Sequence, residues 1–170
     1  TSNAMHNENF QYLEKNNGVM ELIEDGETKV AKIHRVSRDV SELSTAEVVI
    51  VYIQTNFHEQ LIERMSEHIR DGQIIMFNPG YLSTAYMLKH GLDHKITIVE
   101  AESSFIDCRI SEPGKVKVGF RNARNPLGIY PAENVGHAME KLKKLGFPFT
   151  YLSSVVEAAL HNPNLIVHAV

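Results

Sequence analysis

Three short runs of the chain are apolar at nearly every position: Val48–Ile53, Ile74–Phe77 and Ile96–Val99. A strand with no polar face needs cover on both sides, which is the situation inside a parallel sheet. Between the first two runs, residues 56–72 read NFHEQLIERMSEHIRDG, with Leu61, Ile62, Met65 and Ile69 at helical spacing and Asp71-Gly72 as a stop. Asn78-Pro79-Gly80 ends the second run, and a further helix is expected over about 82–90. The order strand, helix, strand, helix, strand predicts an α/β fold, a doubly wound sheet with right-handed crossovers.

The flanking segments follow other rules. Residues 7–17 form a short polar helix candidate ended by Asn17-Gly18. Segments 19–23 and 28–34, separated by Glu24-Asp25-Gly26-Glu27, read as a peripheral β-hairpin, because Asp-Gly supplies the positive φ of a tight turn. After residue 103, segments 105–110, 115–120 and 127–130 are punctuated by Pro113-Gly114 and Asn125-Pro126. They are expected as antiparallel strands appended to the sheet. Residues 133–145 predict an amphipathic helix with Val135, Met139 and Leu142 inward, and a last helix starts near Ser153 and is broken by Pro163.

Composition narrows the class. Apolar residues make up 43% of the 170, enough for a hydrophobic core, and the net charge is −4. The 17 Lys and Arg are scattered, which weighs against a nucleic-acid partner, and Lys141, Lys143 and Lys144 read as a solvated helix face. A single cysteine, Cys108, excludes an internal disulfide and, with no tight His cluster, argues against a metal site. No apolar run reaches membrane-spanning length, so a cytoplasmic protein without a membrane partner is the expectation. Thr1-Ser2-Asn3-Ala4 before Met5 is read as an expression-tag remnant.

In open α/β sheets ligands bind beyond the carboxyl ends of the strands. Here those ends carry Gln54-Thr55-Asn56, Asn78-Pro79-Gly80 and Glu100-Ala101-Glu102-Ser103-Ser104. The same residue types also make ordinary turns. Of the histidines, His58 and His68 on the first helix and His90, His94 and His137 at helix or loop ends read as solvated or capping. His168 lies in an apolar context, Leu165-Ile166-Val167-His168-Ala169-Val170, where an imidazole needs a partner and suits proton transfer. It reads equally as a satisfied core histidine. Cys108 beside Arg109 has no evident base and reads as structural.

Three segments taken in order resemble one family. AEVVIVYIQTNFHEQLIERMSEHIRDGQIIMFNPG (46–80), ITIVEAESSFIDCRI and ALHNPNLIVHAV are similar to the nucleotide-fold half of opine dehydrogenases, the octopine/nopaline dehydrogenase relatives, over roughly residues 8 to 170. Those enzymes couple an amino acid to a 2-oxo acid reductively with NAD or NADP. The resemblance implies a partial Rossmann-like NAD(P)-binding domain over residues 5–160 and, over 161–170, the start of a linker to an absent helical substrate domain. It implies that Gln54 and Thr55 line the cofactor cleft, that Asn78, Pro79 and Gly80 approach the nicotinamide, and that Glu102 stands at the third loop. His168 matches the family's catalytic acid/base, and Asn164 is placed toward the same substrate cavity.

The departures shape the expectation. The family's Gly-x-Gly-x-x-Gly turn, which holds the pyrophosphate, does not occur in these 170 residues, and Tyr81-Leu82-Ser83 replaces small or basic residues. The chain is therefore expected to be truncated at both ends, inactive alone, with an incomplete cofactor site. Val48–Ile53 would then be an open sheet edge, inviting self-association. Two alternatives stand beside this reading. One is another oxidoreductase of the superfamily, of the ketopantoate reductase or hydroxyacid dehydrogenase kind. The other is a non-catalytic α/β binding module. NAD against NADP, and the identity of the amino acid and oxo acid, are open at this point.

Overall fold

The apolar runs become the centre of a sheet. The computed structural model describes residues 2–92 and 96–162. Its elements are α1 (Ser2–Lys15), β1 (Val19–Glu24), β2 (Glu27–Lys32), β3 (Val48–Val51), α2 (His58–Met65), β4 (Ile74–Phe77), α3 (Ser83–Lys89) and β5 (Thr97–Ala101). There follow β6 (Ile106–Glu112), β7 (Lys115–Arg121), β8 (Asn125–Tyr130), α4 (Val135–Lys143), β9 (Phe149–Tyr151) and α5 (Val155–Leu160). They divide into two units, one of residues 1–38 and 106–122, the other of 39–105 and 123–170.

The second unit holds a five-stranded sheet in the order β3-β4-β5-β8-β9. β3, β4 and β5 run parallel, with Val51 opposite Phe77 and Phe77 opposite Glu100. β8 is antiparallel to β5, with Gly128 opposite Glu100, and β9 runs parallel to β8. Every residue of β4 is buried, as its unbroken apolar run requires. One face of the sheet, through Val49, Val51, Ile75, Phe77 and Ile98, packs with Ile62 and Met65 of α2 and Met87 of α3. The buried residues of α4 and α5 are Ala138, Leu142, Ala158 and Ala159, and these helices pack on β5, β8 and β9.

β3 differs from the expectation of a strand buried on both sides. It ends at Val51, and Ile50 is 37% exposed, with Tyr52 and Ile53 exposed beyond it. The reason is its place at the sheet's outer edge, away from the strands that α4 and α5 cover. In α4 the fully buried positions are Ala138 and Leu142; Val135 and Met139 are half-buried. Lys141 is not a free solvated charge, since its Nζ meets Glu47 Oε1 at 2.5 Å.

The first unit is a four-stranded sheet in the order β2-β1-β7-β6. Asp25 and Gly26, with φ of 53° and 80°, make the tight β1–β2 turn that Asp-Gly forecasts. Segments 105–110 and 115–120 were expected on the main sheet, but β6 and β7 pair with each other, and β7 pairs parallel with β1. Their alternating sequences, Ile106-Asp107-Cys108-Arg109-Ile110 and Val116-Lys117-Val118, leave a wet face that the interior of the main sheet does not offer. Of the three late strands, only 125–130 joins it.

Candidate active site at the strand exits

The turn after β4 is strapped to both neighbouring strands. The Asn78 amide donates to the Val51 carbonyl and the Gly80 amide to the Ala101 carbonyl, each at 3.0 Å. The Asn78-Pro79 peptide is cis, and Tyr81 and Leu82 follow with φ of 50° and 64°. Two successive non-glycine residues in the left-handed region cost on the order of 1–3 kcal/mol each, so the surroundings must hold them.

Glu100 is what holds them. It is fully buried on β5, and its carboxylate accepts from the Leu82 amide at 2.7 Å, the Thr84 amide at 2.7 Å and the Thr84 hydroxyl at 2.6 Å. A Cβ on Gly80 would lie 2.7 Å from Glu100 Cγ, so only glycine lets the carboxylate reach its donors. Burial pushes the Glu100 pKa up, and the Thr84 and Leu82 donors pull it partly back. Glu100 and Ala101 belong to β5 itself, not to the exit loop where the sequence pattern put them.

A second brace comes from α2. His58, expected as a solvated or capping residue, is fully buried, because it faces the Phe77 ring at a centroid distance of 5.2 Å. Its Nδ1 lies 2.5 Å from Ser83 Oγ and its Nε2 3.1 Å from the Ile53 carbonyl oxygen. Burial lowers its pKa, opposed by the Ile53 carbonyl.

The β5 exit is tied to the end of α5. Gly128 of β8 allows this, since a Cβ there would stand 2.6 Å from the Ser154 carbonyl oxygen and 2.8 Å from the Val155 nitrogen. Ser154 caps the helix by accepting from the Glu157 amide at 3.1 Å. Past the helix, the buried Asn162 donates to the Glu102 carbonyl at 2.5 Å and to the Tyr81 hydroxyl at 3.1 Å. His161 Nδ1 meets Glu102 Oε1 at 2.7 Å, with the imidazole side chain 56% exposed. A carboxylate at Nδ1 orients the ring and leaves Nε2 as the atom able to exchange a proton.

Among the sequence candidates, Asn78, Pro79, Gly80 and Glu102 therefore lie in one connected set, through Gly80–Ala101 and Tyr81–Asn162–Glu102. Gln54 is exposed and Thr55 half-buried in the short turn after β3 (Thr55–Phe57). Asn164 and His168 lie outside the described residues. Cys108 belongs to the first unit, and burial followed by the Asp107 charge raises its pKa, opposite to a reactive thiol. The sequence reading gave no role to Ser83, His161 or Asn162, took His58 as solvated or capping, and named Glu100 only as the start of the third exit. Glu100 had a visible signal, a carboxylate directly after an apolar strand.

Both side-chain atoms of Asn78 are buried with no hydrogen-bond partner among the described residues. A primary amide so placed can take one donor and one acceptor, the pattern of a carboxamide or of a bridging water. Among the described residues no group of three or more His, Cys, Asp or Glu is placed to hold a metal ion, and no helix is long and apolar enough to cross a membrane.

The second unit has the Rossmann-like doubly wound fold of the octopine dehydrogenases and ketopantoate reductases. No family model matches the sequence. The chain is 25% identical over 127 residues to an opine dehydrogenase of Arthrobacter sp. (strain 1C), a match covering 72% of this chain and 35% of that protein. An octopine dehydrogenase solved with NADH and L-arginine superimposes with a TM-score of 0.74 at 17% identity, over 94% of this chain and 43% of that one. A ketopantoate reductase of the PanE/ApbA family from Ralstonia eutropha JMP134 gives 0.66 at 14% identity, over 89% and 48%. In sequence and in fold the chain is similar to opine dehydrogenases, and it spans about a third of the curated relative's length.

Proposed function

We propose that the edge formed by the exits of β3, β4 and β5 is the nicotinamide side of an NAD(P)-dependent oxidoreductase of the opine dehydrogenase kind. The observation that supports this most directly is the match to an opine dehydrogenase over 127 residues, a stretch long enough to reach beyond any single strand exit. Ketopantoate reductases share the fold, and that likeness speaks for the fold alone. The substrates in this reading are an amino acid and a 2-oxo acid, joined by reduction of the imine they form.

A bound reduced nicotinamide supplies the hydride in such a reaction. The buried Asn78 amide fits its carboxamide, since the donor and acceptor are complementary and otherwise unmatched among the described residues. Glu100, through Leu82 and Thr84, keeps the turn that presents Asn78 in one conformation. Proton delivery falls to an imidazole: His168, by the resemblance, with Asn164 toward the substrate. His161, oriented by Glu102 on the same edge, is a second group able to hold a proton there. The Gly-rich pyrophosphate turn is not among these 170 residues, so the affinity of the chain for the whole dinucleotide is expected to be weak.

The test is calorimetric titration of the chain with NADH and NADPH, in parallel with Asn78→Ala. Weak binding by the chain, lost in the variant, supports the reading. Binding of equal strength in the variant removes Asn78 from the site.

A further inference from the structure

His58 joins two strand exits through one hydroxyl group. Its Nε2 is 3.1 Å from the Ile53 carbonyl oxygen, its Nδ1 is 2.5 Å from Ser83 Oγ, and Ser83 Oγ is 2.6 Å from the Gly80 carbonyl oxygen. Each of these three contacts needs one hydrogen. A neutral imidazole brings one and the serine hydroxyl one, so one contact always lacks its hydrogen. An imidazolium brings two. Nε2–H then donates to Ile53, Nδ1–H to Ser83, and the hydroxyl to Gly80, and every contact is a hydrogen bond.

The groups that face the ring are the Ser83 hydroxyl, the Ile53 carbonyl and the Phe77 ring. Of the charges on the surrounding elements, Glu63 and Arg64 of α2 are exposed, and the rest named here are engaged elsewhere. Glu59 of α2 holds Lys89 of α3 at 2.6 Å, and Glu100 of β5 holds the Leu82 and Thr84 donors. Burial keeps the imidazole neutral to lower pH than usual, so the incomplete form is the one at neutrality.

We infer that His58 is a positioning residue that, on taking up a proton, ties the Asn78–Leu82 turn to the exit of β3. A ligand seated against the tied turn then binds with uptake of a proton, and its affinity rises as pH falls through the His58 titration, by at most about tenfold per pH unit. This last step rests on the nicotinamide reading of the edge; the tether itself does not.

The experiment follows the His58 ring shifts and the Gly80–Thr84 amide shifts by NMR on the full chain, from about pH 8 to about pH 4.5. The Gly80 and Ser83 amides are expected to titrate with the His58 midpoint, and Ser83→Ala to abolish that midpoint in the amides while His58 still titrates. The inference is overturned if His58 titrates without the amides following, if it stays neutral over the whole range, or if Ser83→Ala leaves the amides unchanged. Should that variant not fold, the wild-type comparison of midpoints decides alone. NADH affinity measured over the same range separates the two readings. Amides that follow His58 without any NADH binding uphold the tether and remove the nicotinamide assignment.

Discussion

Glu100 and Thr84 are joined twice, the carboxylate accepting from the Thr84 amide at 2.7 Å and from its hydroxyl at 2.6 Å. With the Leu82 amide on the other oxygen, one buried side chain on β5 fixes a turn that belongs to β4. Glu100→Gln keeps the shape but sets an amide donor against one of these donors. Loss of a buried hydrogen bond of this kind costs about 1–3 kcal/mol. Urea denaturation is expected to show that loss with an unchanged m-value.

Two buried groups, Glu100 and His58, give stability opposite slopes with pH. Glu100 has its folded pKa raised, chiefly by burial, so its contribution is full below the ordinary carboxylate value of 4.5 and is lost as pH rises through the raised value. His58 has its folded pKa lowered, so its contribution is present above the ordinary imidazole value of 6.5 and is lost as pH falls through the lowered one. Thermal denaturation against pH is expected to lose the first slope in Glu100→Gln and the second in His58→Gln.

Gly128→Ala tests the seat of α5. Its methyl group would meet the Ser154 carbonyl and the Val155 nitrogen, backbone atoms that cannot rotate aside. Overpacking of this sort costs about 1–3 kcal/mol. Gly136, with open space where its Cβ would be, is the matched control. Gly136→Ala is expected to be neutral or stabilising by up to about 1 kcal/mol, as glycine is the poorer helix former.

Much of this architecture was legible in the chain. The runs at Ile74 and Ile96 marked parallel strands because burial on both faces leaves no polar positions, and the run at Val48 marked their neighbour although its edge position leaves Ile50 exposed. Asp25-Gly26 gave the hairpin because few residues accept its φ. Partnership between strands was harder to read. β6 and β7 look like extensions of the main sheet until pairing with β1 is seen, since an alternating strand fits any one-sided sheet. The edge of strand exits was legible, and Asn78, Gly80 and Glu102 lie on it. Its braces were not, because His58 to Ser83 and Glu102 to His161 are contacts across 25 and 59 residues, and no local pattern marks them.

Asn162→Ala removes the donor shared by the Glu102 carbonyl and the Tyr81 hydroxyl. With both acceptors left in partly buried surroundings, a loss of about 1–3 kcal/mol is expected. Hydrogen exchange should quicken at Tyr81 and Leu82, whose left-handed backbone depends on such ties. Amides of β8, held in the sheet interior, should keep their protection.

The most direct measurement of the central claim maps reduced nicotinamide mononucleotide onto the chain by amide chemical shifts. This probe carries the ring and carboxamide without the half of the dinucleotide that a Gly-rich turn would hold. Saturable shifts are expected, at millimolar concentration, centred on Thr55, Asn78–Thr84, Glu102 and Asn162, with their loss in Asn78→Ala. Saturation with no shift at these exits, or with shifts centred on the β6–β7 sheet, would contradict that claim.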